Sequence, residues 1–450
     1  MKQSIRFGAL AALAGALTAG AAHADSAQTL GGIQVKSDDG KFVGSLGGRI
    51  QFDYTGLLPD NGSSFDSGAA ENNGGFNFRR VYISLAGSLY GWRYRLDDDV
   101  SNTNNPGNGF QDAYISHDIG DYGTVRLGQT RPWRSLDGLA SNNDITFTER
   151  NITSDTGIYG NRDYAQGIFY RYSRPNTFTR NDNFWGGVSF YSLNKAGSST
   201  DQGITPTQGI GYNARLAYAP INTAREWIHT GVTFSSDHAD NGATLSAGSS
   251  TWYSYRGVTQ SLISLKGTQP AATGNANIGG GNSPDAVTIV GELAGAFGPL
   301  YLQGEGGESK FRQPNYSKTS PNQQTVDAFA FTGSVFLTGE TKRYDTLAAT
   351  YAQPKPLHPY GALEIAVGYN FERNRNLPGA NTTVCKPAVG AIKAGTTIDR
   401  CDLSYATFGI NYYVNPGVRF MLDYYRGDLD LGNAGHDRPQ AVDARVQIVF

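Results

Sequence analysis

Several arginines stand at alternating positions, apart from the apolar residues beside them. In Arg80-Val-Tyr-Ile-Ser-Leu85, the apolar Val81, Ile83 and Leu85 interleave with Arg80, Tyr82 and Ser84. Successive side chains of a strand point to opposite faces. The same parity sets Arg49, Gln51 and Asp53 against Ile50, Phe52 and Tyr54, Arg126 against Val125 and Leu127, and Asp112 and Tyr114 against Ala113 and Ile115. Guanidinium groups gathered on one wet face would hold oxyanions by charge-assisted, often bidentate hydrogen bonds. Alternatively each arginine pairs with an acid opposite, for which Asp53, Asp97, Asp112, Glu292, Glu364 and Asp423 are candidates. Parity alone leaves both readings open. Arg79 breaks the pattern, because it shares its face with Val81 and Ile83; a bulge, a subunit interface or a strand end would each accommodate it.

Between Thr130 and Gly167 alternation lapses, in Arg131-Pro-Trp-Arg-Ser-Leu-Asp-Gly138 and Phe147-Thr-Glu-Arg-Asn-Ile152. Either this is a surface loop or it folds inward and narrows a lumen, in which case Arg131, Arg134, Arg150 and Arg162 belong to the pore. Other chemistry is thin. His23, His117, His229, His238, His358 and His436 accompany no nucleophile motif and no metal spacing, so neither an enzyme nor a cofactor is expected. Cys385 and Cys401 could close one disulfide loop in an oxidising compartment. No CxxC pair or nearby histidine argues for a metal there.

The elements that would position these residues are strands. Period-2 segments recur along the chain, among them 49–54, 80–87, 113–118, 124–130, 167–174, 188–193, 213–219, 228–235, 287–297, 328–337, 363–371, 405–414 and 418–425. No run of apolar residues after position 24 is long enough for a membrane helix, yet a membrane barrel has low mean hydropathy because lipid-facing and lumen-facing residues alternate. Long Gly, Ser, Asn and Thr-rich stretches at 59–75, 195–211, 239–284, 309–326 and 374–402 alternate with short turns such as Asp121-Tyr-Gly123 and Asn415-Pro-Gly417. That pattern fits long loops outside and short turns facing the periplasm. Residues 1–24, with Lys2 and Arg6, an apolar run and Ala-His-Ala24, read as a secretory signal peptide, leaving 25–450 as the barrel. At roughly 25 to 30 residues per strand and connection the count comes near 16. The expectation is an all-β, 16-stranded antiparallel transmembrane β-barrel of a Gram-negative outer membrane, in contact with its lipid, with an inward-folded constriction loop and a lumen too wide for side chains to fill.

Removing Lys2 and Arg6 moves the formal charge from -2 to -4, so anion attraction must be local and nucleic-acid binding has no support. The 26 tyrosines suit membrane-interface girdles, although an aromatic track for sugars is a second possibility. The terminal strand Val442 to Phe450 alternates strictly and ends on an aromatic residue, like the signal that outer-membrane proteins present to the barrel assembly machinery.

Leu46-Gly-Gly-Arg-Ile-Gln51, Asn77-Phe-Arg-Arg-Val-Tyr82, Arg93-Tyr-Arg-Leu-Asp-Asp-Asp-Val-Ser101, Thr148-Glu-Arg-Asn-Ile152, Leu337-Thr-Gly-Glu340 and Phe408-Gly-Ile-Asn-Tyr-Tyr413 together resemble the phosphate-selective porins O and P. The resemblance implies a 16-stranded barrel, a homotrimer, and a constriction that takes phosphate or polyphosphate. It puts pore arginines at Arg49, Arg79, Arg80 and Arg150 and the pore aspartate at Asp112. The family's lysine-rich pore mouths have little counterpart among the ten lysines left after residue 24, which leaves a general, weakly selective porin as the alternative.

Overall fold

A computed structural model describes residues 24–29, 32–58, 74–101, 109–154, 158–159, 164–192, 209–238, 285–312, 323–375, 399–400, 402–438 and 440–450. Residues 1–23 of the expected signal peptide, Arg162, Cys385 and Cys401 lie outside them. The strands in chain order are β1 (Ala24–Thr29), β2 (Ile33–Ser37), β3 (Phe42–Leu58), β4 (Gly74–Leu89), β5 (Trp92–Asp99), β6 (Gly109–Asp118) and β7 (Thr124–Thr130). They continue as β8 (Ala165–Pro175), β9 (Asn183–Ser192), β10 (Ile210–Asn222), β11 (Glu226–His238), β12 (Asp285–Phe297), β13 (Leu300–Arg312) and β14 (Gln323–Phe336). Last come β15 (Arg343–Asp345), β16 (Thr350–Ala352), β17 (Ala362–Asn374), β18 (Asp402–Asn415), β19 (Val418–Asp430), β20 (His436–Asp437) and β21 (Gln440–Val449).

Sixteen of these, β3 to β14, β17 to β19 and β21, pair antiparallel in sequence order and close into a barrel where β21 meets β3, from Gln440↔Leu58 to Val449↔Arg49. Closure leaves no unpaired edge in the sixteen-stranded wall. Below that seam β2 takes over the edge of β3, and Gly48 and Phe450 exchange backbone hydrogen bonds of 2.7 and 3.0 Å. No helix among the described residues is long and apolar enough to cross a membrane.

Alternation sets which face is which, and the sense is opposite to that of a water-soluble protein. Along β18, Leu403, Tyr405, Thr407 and Asn411 are buried inward while Ala406, Phe408, Ile410 and Tyr412 are exposed outward. Arg215, Glu292, Asp423 and Arg445 are buried, whereas Leu293 is 61% exposed and Phe76 70%. A charge turned to lipid at mid-depth costs about 2–4 kcal/mol, so the outer wall carries apolar residues and the lumen carries the charges.

The β3–β4 register slips between Gln51↔Arg80 and Phe52↔Phe78, leaving Arg79 as the extra residue. Such a bulge lets consecutive residues face the same way. This accounts for Arg79, whose parity was inconsistent with its neighbours.

Long connections fall at one end of the barrel and short ones at the other. Tyr90 and Gly91, both at positive φ (49° and 85°), make the two-residue turn from β4 to β5. The connection 337–361 departs from the expected alternation. It joins β14 to β17 at the short-turn end, yet it carries the β15–β16 hairpin and enters the lumen.

Candidate functional site

A loop inside a barrel has no neighbouring strand for its backbone, so side chains of the wall must satisfy its N–H and C=O groups. Segment 131–164 is held in this way. Asp137 N–H donates to Glu305 Oε1 of β13 (2.8 Å), Thr148 N–H to Asp423 Oδ2 of β19 (2.6 Å), and Ile152 N–H to Asn370 Oδ1 of β17 (3.0 Å). Arg419 donates to the carbonyl of Ile145 (2.8 Å). The segment therefore spans from its own strands, β7 and β8, to the far wall.

The second insert, 337–361, meets the first. Thr350 Oγ1 donates to Leu136 O (2.7 Å), Tyr351 OH to Asp137 Oδ1, and Lys342 Nζ to Thr146 Oγ1 (2.5 Å) and Glu364 Oε1 (3.2 Å). Wall side chains grip its carbonyls, with Arg215 on Ala348 and Ala349, Trp185 on Leu347 and Trp227 on Lys342. Leu136, Ala140 and Ile145 pack with Trp227, Ala294, Ala296, Tyr301 and Tyr351 into an apolar cluster within the lumen.

One open cavity, of ≈ 240 Å³, lies against strands β3 to β8. Its cations are Arg49, Arg95, Arg126, Arg131 and Arg171, and Asp112, Asp144 and Asp345 also reach it. Of the residues singled out from sequence, Arg49, Asp112, Tyr114, Arg126 and Arg131 come together here. Arg49 lies over the ring of Tyr82 (4.4 Å), Arg126 over Tyr114 (4.7 Å) and Trp133 (5.0 Å), and Arg131 over Tyr164 (4.8 Å). Stacking fixes a guanidinium plane while leaving its N–H edges to other acceptors. Asp112 accepts from Thr130 Oγ1 (2.7 Å) and lies 3.7 Å from Arg95, which also binds Asp97.

The remaining arginines from the sequence reading stand elsewhere. Arg79 pairs with Glu149 (2.7 Å), and Arg80 donates to Gln51 Oε1 (2.9 Å). Arg134 is buried against Tyr191 OH (2.7 Å) and Asp237 (3.4 Å). Arg150 is a buckle within its own loop, donating to the carbonyls of Asp137 and Ala140 and to Asn142 Oδ1. Burial alone would raise the Glu149 carboxyl, but Arg79, Arg80 and Arg445 together hold it below the ordinary glutamate value. Burial pushes Asp144 up, against the opposing pull of Arg419, Arg343 and Lys342.

Of the acids that parity offers as lumen partners, Asp423 pairs with no cation among the described residues and instead accepts from Thr148 N–H, while others form ion pairs. Asp53 pairs with Arg445 (2.7 Å), Glu292 with Arg215 (2.7 Å) and Glu364 with Lys342 (3.2 Å). Arg95 and Arg171 were missed. Arg171 shares its face with the apolar Phe169, which masks the parity because Phe169 packs on Trp133 of the inserted loop.

A family model described as phosphate-selective porin O and P matches residues 45–450. Porin O of Pseudomonas aeruginosa is 27% identical over 442 residues, covering 94% of this chain and 92% of that protein. Among solved structures, an anion-selective porin from Comamonas acidovorans superposes with a TM-score of 0.53 at 12% identity, covering 91% of this chain and 100% of that one. OmpT of Vibrio cholerae, an outer membrane protein solved in a trimer form, gives 0.50 at 11% identity, with 91% and 99% covered.

Proposed function

The chain belongs to the phosphate-selective porin O and P family, and from that premise we propose that the arginine-lined cavity is the constriction that selects small oxyanions, phosphate among them. The protein is an outer-membrane porin, a water-filled β-barrel channel for passive diffusion and not an enzyme. One observation carries the anion reading. Arg49 and Arg126 lie on aromatic rings and have no carboxylate partner among the described residues, whereas Arg79, Arg134, Arg215 and Arg445 are each neutralised by an acid. An unneutralised guanidinium can replace the hydration of a passing oxyanion. A weakly selective channel is the second reading, favoured by Asp112, Asp144 and Asp345 in the same cavity.

In this reading residues 1–24 are removed on export, the long connections face outward, and the strand ending at Phe450 is recognised during barrel assembly. Three copies associate, as in the trimer form of OmpT.

Reversal potential in a potassium chloride gradient, followed by phosphate titration of the current, tests the proposal on purified mature protein. Wild type should prefer anions and be blocked by phosphate. Arg126→Ala should weaken the block by about tenfold, the scale of one charge-assisted hydrogen bond, and Arg80→Ala should change it less. Cation preference, or current indifferent to phosphate, would establish the weakly selective channel instead.

A further inference from the structure

The outer wall is not uniform around the barrel. On β17 the outward residues are Leu363, Ile365, Val367, Tyr369 and Phe371, followed by Arg373; on β19 they are Val418, Phe420, Leu422 and Tyr424, followed by Arg426, Asp428 and Asp430. The change from apolar and aromatic to charged marks the upper border of the hydrocarbon band, where aromatic girdles sit. Directly above it, at the long-loop end, ion pairs link residues within and between neighbouring strands and their connections. Lys310 pairs with Glu308 (2.8 Å), Glu308 with Arg375 (2.7 Å), and Arg375 also with Asp327. Arg373 pairs with Asp402 (2.6 Å), Arg400 with Asp430 (2.7 Å), and Arg438 with Asp428 (3.4 Å).

Elsewhere at the same end the outward residues include the apolar Phe76 and Phe78 on β4, Phe110 on β6, Phe190 on β9, and Ile210 and Tyr212 on β10, with Asp98 on β5 and His238 on β11 but, among the described residues, no outward arginine or lysine. The outward arginines and lysine at this end are thus confined, among the described residues, to the sector from β13 to β19. Its guanidinium groups are fixed but not exhausted. Arg373 uses Nε and Nη2 on Asp402, Arg375 uses Nε and Nη2 on Asp327 and Glu308, and among the described residues no acceptor is bonded to Nη1 of either. Arg426 is exposed and has no ion pair among the described residues.

We propose that this sector is a docking surface for the phosphorylated headgroup of the glycolipid forming the outer leaflet, with Arg373, Arg375 and Arg426 as its phosphate contacts. The reasons are depth, charge and confinement. The arginines stand at the level where headgroups lie, guanidinium is suited to phosphate, and the rest of the rim, among the described residues, carries no outward guanidinium. The inference needs only the outer-membrane location and is independent of the pore reading.

The test is lipid titration by native mass spectrometry of the mature protein in detergent, with a hexa-acylated diglucosamine bisphosphate and with its dephosphorylated form. Wild type should bind the bisphosphate at least about tenfold more tightly, and the triple variant Arg373→Ala/Arg375→Ala/Arg426→Ala should lose that difference. Arg426→Ala alone breaks no ion pair among the described residues and should show a partial loss, so the test survives a triple variant that fails to fold. Equal affinity for the two lipids, or variants that keep the full difference, would overturn the proposal. A triple variant that loses phosphate block of the current would also overturn it, by assigning these residues to the pore.

Discussion

At the scale of single residues, the lumen separates arginines that act as fasteners from arginines that face the open path. Glu149 belongs to the fasteners, and its depressed pKa carries a sign. A carboxyl whose folded pKa lies below its unfolded value, about 4.3, stabilises the fold above that value and ceases to do so as pH falls through the folded pKa. Open-channel noise from segment 131–164 should therefore stay flat from neutral pH down to the ordinary glutamate range and rise only below it. Noise rising already near neutrality in single-channel records would point to another group. Glu149→Gln leaves Arg79 without its charged partner and should destabilise the barrel by about 2 kcal/mol, the scale of charge-assisted hydrogen bonds in a part-buried pair, as read by urea unfolding in lipid. Parity in the sequence identified Arg49, Arg126 and Asp112 because their neighbours are apolar. It could not assign Arg79, whose orientation depends on a bulge set by the facing strand, nor Arg171, whose face is shared with an aromatic residue that packs on an insert.

At the scale of elements, the barrel strands were readable because lipid and water impose opposite demands on alternate residues. The inserts escape that rule. Segment 131–164 stood out by its lapse of alternation, but 337–361 did not, because β15 and β16 are three residues each and the groups that hold them, such as Arg215, Trp185 and Trp227, are far away in sequence. Replacing 343–352 by a short glycine linker should widen the path and raise single-channel conductance on the order of twofold, since a 16-stranded barrel without fillers encloses an aqueous channel. Unchanged conductance would mean that this hairpin lies outside the limiting section.

At the scale of the whole molecule, the lumen is packed on one side and open on the other. Apolar clusters around Trp227, Tyr301 and Tyr351, and around Trp133 and Trp185, fill the sector from β8 to β13, while the arginine cavity runs along β3 to β8. Liposome swelling should accordingly show a sharp size limit, with disaccharides entering far more slowly than glycerol; equal rates would contradict an off-centre path. The seam has a further consequence, for folding kinetics. Gln51 and Gln447, hydrogen-bonded across it, lie 396 positions apart, and contacts of such separation are slow to form because chain-closure entropy opposes them until they are made. Registration of β21 on β3, with the Gly48–Phe450 backbone exchange beside it, is then expected to come late, and until it forms the two seam strands present unpaired edges.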